Sequence, residues 1–96
     1  MSAYIVCDVT VKDRNTLREY LELSEHTLAQ YGGKFLVQAG EIEVIEGDWN
    51  PKVIVIAEFP SMEKAKQWYQ SNTYAKALSV KSKAMDRNMI LVNGIL

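Results

Sequence analysis

The spacing of apolar residues switches between two periods along this chain, and the order of the switches leaves few folds open. Ala3 to Val11 alternates, with Ala3, Ile5, Cys7, Val9 and Val11 on one side and Tyr4, Val6, Asp8 and Thr10 on the other, the period of a strand. Asp13 then offers a helix cap, and Leu17, Tyr20, Leu21, Ser24, Leu28 and Tyr31 recur at three- and four-residue steps, which predicts a helix of about five turns closed by Gly32-Gly33. Gly33 to Glu46 alternates again, as one long strand or two short ones broken at Gly40, and Gly47-Asp48-Trp49-Asn50-Pro51 is a turn. Lys52 to Phe59 is a third strand. Pro60-Ser61 opens a second helix carrying Met62, Ala65, Trp68 and Tyr69, and Ser71-Asn72 interrupts it. A further helical piece follows, with Tyr74, Ala77, Leu78 and Met85 inward, and Met89 to Asn93 is the last strand.

The order strand, helix, strand, strand, helix, strand predicts an α+β, ferredoxin-like βαββαβ fold over residues 1–96. Its four-stranded antiparallel sheet carries both helices on one face. The other face needs its own cover. The third strand is apolar on both sides, with Val53, Val55, Ala57 and Phe59 against Ile54 and Ile56, and a strand apolar on both sides is buried on both sides. A second copy of the chain, sheet against sheet, is the simplest cover, which predicts a homodimer.

Composition narrows the partners. With 11 Lys and Arg against 12 Asp and Glu the net charge is −1, too weak a field to draw the chain to nucleic acid or an anionic membrane. Lys76, Lys81, Lys83 and Arg87 gather basic charge that reads as a solvated helix face. The lone cysteine, Cys7, excludes an internal disulfide and fits a reducing, cytoplasmic setting. The N-terminus lacks a signal-peptide pattern, and no apolar run is long enough to span a membrane.

Motifs for phosphate loops, serine nucleophiles or metal ligation are missing, so no cofactor and no metal are expected. Asp8 and Glu58 are the sharpest candidates for chemistry. With the first and third strands taken as parallel neighbours, both carboxylates fall late in their strands on a face that Val6, Ile54 and Ile56 make apolar. Mutual repulsion and poor solvation would raise a pKa there, as a general acid or base requires. Each carboxylate could instead accept hydrogen bonds or an ion pair, for example from Lys52. Tyr4, Trp68 and Tyr74 would line a small-molecule cavity between sheet and second helix. Trp49 lies in the turn, packed on a partner or a helix, or serving as a lid. His26 falls opposite the apolar stripe of the first helix and Cys7 points toward the helices, where a buried thiol is inert.

Several blocks also carry a family resemblance: Tyr31-Gly32-Gly33-Lys34-Phe35-Leu36-Val37, Glu46-Gly47-Asp48-Trp49-Asn50-Pro51, and Glu58-Phe59-Pro60-Ser61-Met62-Glu63-Lys64-Ala65. They continue through Trp68-Tyr69, Ser71-Asn72-Thr73-Tyr74 and Val92-Asn93-Gly94. In this order and spacing the chain resembles the bacterial domain of unknown function 1330, a branch of the dimeric α/β-barrel superfamily. The resemblance implies a ferredoxin-like fold, a dimer with facing sheets and no established activity. Family members often carry an acidic residue where this chain has Asn93. Two function classes compete with a ligand site: a non-catalytic dimeric interaction module, and a haem or cofactor-free monooxygenase-like enzyme by analogy of fold, with His26 as the haem-ligand candidate.

Overall fold

The computed structural model describes residues 1–95. Four strands, β1 (Ala3–Val11), β2 (Lys34–Gln38), β3 (Val53–Phe59) and β4 (Met85–Asn93), form one sheet in the order β2-β3-β1-β4. Every neighbouring pair is antiparallel. The helices are α1 (Arg14–Ser24), α2 (Met62–Tyr69) and α3 (Asn72–Ala84). This is the ferredoxin-like architecture that the periodicity predicts. The alternation of β1 places Ile5, Cys7 and Val9 in the core under the helices and leaves Tyr4, Val6 and Asp8 on the open face.

Local chemistry sets the helix ends. Ser61 and Ser71 cap α2 and α3, their hydroxyl oxygens accepting from the backbone N–H of Lys64 and Tyr74, both at 3.1 Å. Asp13 occupies the cap position of α1, but its carboxylate receives the Thr16 hydroxyl rather than a backbone N–H.

The first helix is shorter than its stripe suggests. It stops at Ser24, and the chain turns before a single 3₁₀ turn at Ala29–Tyr31. Thr27 accounts for the break. Its backbone N–H and its hydroxyl both donate to the Ser24 carbonyl, at 3.0 and 2.8 Å, in place of the helical ladder. The same hydroxyl oxygen accepts the indole N–H of Trp68 at 2.9 Å, deep in the core. Trp68 in turn lies 5.4 Å from the Phe59 ring and 4.1 Å from that of Tyr74, centroid to centroid. These stacked rings, with Phe59 and Tyr74 fully buried, fill the space under α2 and α3.

Three further expectations change. The first and third strands are antiparallel, not parallel, because β1 lies between β3 and β4 and pairs with both. The strand expected beyond Gly40 is absent; residues 41–46 have no partner strand and lie mostly exposed. The last strand begins at Met85, so Met85 and Arg87 belong to β4 rather than to a helix.

Gly32, with φ of 77°, gives the left-handed residue that closes the 3₁₀ turn. At Gly33 a Cβ would stand 2.6 Å from the Phe59 ring, which is fully buried and has nowhere to move. Gly33→Ala should therefore cost about 1–3 kcal/mol through overpacking, read as a lower urea midpoint at unchanged slope.

Candidate functional site

α1 packs along α3 and stands off from the sheet, and the gap beneath it is a cavity of about 160 Å³. Its floor is Cys7, Val9 and Val55; Leu17 and Leu21 of α1 roof it; Phe35 and Gln38 of β2 stand at its exposed rim. The lining is almost wholly apolar. Burial pushes the Cys7 thiol above its ordinary pKa, so it stays protonated and unreactive at neutral pH.

One wall is different. Tyr20 of α1, Tyr74 of α3 and Arg87 of β4 meet there. The two phenol oxygens lie 2.5 Å apart, and the Arg87 guanidinium donates to Tyr20 at 2.9 Å and to Tyr74 at 3.2 Å. Tyr20 and Arg87 face the cavity, whereas Tyr74 sits behind them, fully buried. Burial, then the neighbouring Tyr20, pushes the Tyr74 phenol well above its ordinary pKa, so it remains a neutral donor. Burial disfavours the charge on Arg87, but the two phenol oxygens outweigh that and hold it protonated. Among the described residues Arg87 has no carboxylate partner; the ion pairs are Lys12 with Asp86 and Lys34 with Glu58.

The structure divides the residues singled out from sequence between two faces of the sheet. Trp68 lines the cavity and Tyr74 backs it. Asp8, Glu58 and Tyr4 lie on the opposite, open face and do not reach it, so the cavity does not join the two carboxylates to Trp68 and Tyr74. Antiparallel pairing also separates the acids: Glu58 sits opposite Tyr4 and Asp8 opposite Ile54, four positions along β1, which is roughly 13 Å. Asp8 accepts the indole N–H of Trp49 at 2.9 Å, and Trp49 is otherwise exposed. Glu58 accepts from the Tyr4 hydroxyl at 3.2 Å and lies 3.6 Å from the Lys34 ammonium. Hydrogen bonds from Ser2 and Tyr4, together with Lys34, hold its carboxyl below the usual range, the reverse of the shift expected for a catalytic acid. His26 is exposed in the turn after α1, away from the cavity lining. No group of three or more His, Cys, Asp or Glu side chains placed to hold a metal occurs among the described residues.

Sequence reasoning missed Tyr20 and Arg87 as site residues. Tyr20 was one residue in an apolar stripe, and Arg87 one of four basic residues taken for a solvated helix face. The available signal was the alternation Met85, Arg87, Met89, Leu91, which puts an arginine among apolar residues on the helix-facing side of a strand.

The model of the family described as domain of unknown function DUF1330 matches residues 2–95. The chain belongs to the DUF1330 family. No curated protein matches it. Among solved structures, a protein of unknown function from Rhodopseudomonas palustris aligns with 99% of this DUF1330 chain and 83% of its own, at 18% identity and a TM-score of 0.79. SnoaB, a cofactor-independent oxygenase from Streptomyces nogalater, aligns over 99% and 94% at 11% identity and a TM-score of 0.69. A dimeric ferredoxin-like protein of unknown function from Thermobifida fusca aligns over 98% and 92% at 10% identity and a TM-score of 0.62. At these identities the likeness is one of fold. No helix among the described residues of the DUF1330 chain is long and apolar enough to cross a membrane.

Ionised Glu58 favours the folded state down to the ordinary glutamate range near about 4.3, and this contribution disappears as pH falls through its lower folded value. The Glu58 carboxyl carbon should titrate below that range by NMR, and Tyr4→Phe should move its midpoint upward.

Proposed function

We propose that this DUF1330 protein is a homodimer in which each protomer binds a small, largely apolar molecule between α1 and the sheet. The observation that carries this reading is the cavity of about 160 Å³, lined mostly by apolar side chains with Tyr20 and Arg87 together on one wall. That volume is close to an engineered cavity of about 150 Å³ that takes up benzene, so the buried part of the ligand is about one ring in size. Trp68 then walls the ligand and Tyr74 sets Tyr20 in place. The lone buried thiol fits a reducing, cytoplasmic setting.

The dimer reading rests on the open face. Val6, Ile54 and Ile56 are only half-buried there, Ile90 is 60% exposed, and Trp49 and Ile45 of the long loop are exposed beside them in sequence. A contiguous apolar sheet face of this kind calls for a partner surface, and the likeness to a dimeric ferredoxin-like protein supports a second copy as that partner. Asp8, Glu58 and Tyr4 act at this contact in our reading rather than in catalysis. A second reading, conversion of the bound molecule, is favoured by the likeness to SnoaB. Tyr20 and Arg87 are the donors that would steady negative charge developing on a bound oxygen.

Toluene, added to isotope-labelled protein, should shift amide signals of cavity-lining residues such as Val9 and Val55, and Val55→Trp should abolish the effect by filling the space. Shifts confined to the open face, or persisting in Val55→Trp, would refute the cavity as the site. The dimer has its own test: sedimentation should give twice the 10.9 kDa chain mass, and Ile90→Glu should give the monomer.

A further inference from the structure

The cluster at the cavity wall holds more donors than acceptors. An arginine side chain carries five N–H donors and no acceptor, and each phenol carries one O–H. Within the cluster only three hydrogen bonds form: guanidinium to Tyr20, guanidinium to Tyr74, and one between the phenols. The direction of the last follows from burial. Tyr74 is fully buried and does not face the cavity, so its hydrogen has the Tyr20 oxygen as its acceptor. The Tyr20 hydrogen is thereby left free on the cavity side, beside the unused N–H groups of Arg87. The charge of Arg87 has no carboxylate partner among the described residues, and the cavity around it is apolar. A half-buried charge with spare donors is best met by an anion, and a guanidinium matches a carboxylate in shape as well as charge.

We propose that the cavity selects amphipathic monocarboxylates, molecules with one anionic head on an apolar body of about one aromatic ring, with Arg87 and the Tyr20 hydroxyl binding the head. Tyr74 is a positioning residue: it turns the Tyr20 hydrogen toward the ligand. The proposal rests on the reading of the cavity as a small-molecule site and adds the chemical class of what it takes.

Phenylacetate and its neutral isostere phenylacetamide, titrated into the wild-type protein and followed by amide shifts, test the proposal without any mutation. Phenylacetate should bind on the order of tenfold more tightly or better, the scale of one charge-assisted hydrogen bond. Arg87→Met should remove that preference while toluene still shifts the lining residues, and Tyr20→Phe should reduce it with Arg87 in place. Equal affinities in the wild type, or a preference that survives Arg87→Met, overturn the proposal. If toluene shifts the cavity residues in the same samples, the small-molecule reading outlives that result; if toluene and both phenyl compounds all fail to bind, the cavity reading falls first and the carboxylate proposal with it. Should Arg87→Met not fold, the wild-type pair and Tyr20→Phe decide.

Discussion

A guanidinium half-buried beneath the apolar face of a helix must be met by acceptors, and here those acceptors are the phenol oxygens of Tyr20 and Tyr74. This contact ties together one residue each of α1, α3 and β4. It fixes α1 at the β4 side of the sheet while the rest of that helix stands clear of β1 and β3. The space that results is the cavity, and its one polar wall is the same contact that anchors its roof. The side chains that hold α1 in place are therefore the ones that put polar groups on the cavity wall.

Most of the fold was legible because it depends on period. Alternation in β1, the two-sided apolar run of β3 and the opening of α2 at Ser61 are local signals, and each leads to the element observed. What failed depended on contacts between distant parts of the chain. The stripe from Leu17 to Tyr31 continues through Thr27, but Thr27 ends α1 because its hydroxyl serves both the Ser24 carbonyl and the Trp68 indole, 41 residues away. Residues 41–46 alternate as a strand would, yet alternation supplies no partner for their backbone groups. The direction of β1 relative to β3 was misjudged, although in this strand order a central strand runs opposite to both neighbours.

That misjudged direction decided how much of the site could be read. Trp68 and Tyr74 were identifiable as large aromatics on an inner face. Asp8 and Glu58 were chosen because two acids on an apolar face suggested a shared environment, and antiparallel pairing sends them to opposite ends of the open sheet. Arg87 is masked in the sequence because it follows three lysines, Lys76, Lys81 and Lys83, on the helix before it. Its burial becomes apparent only when β4 is extended back to Met85.

The sulfur of Cys7 stands in the floor of the cavity, and the chain has no other thiol. Burial shields that sulfur and raises its pKa, so a maleimide would have to reach it through the cavity. A molecule seated in the cavity would lie between that sulfur and any reagent, so the thiol's reaction rate is a measure of whether the space is filled.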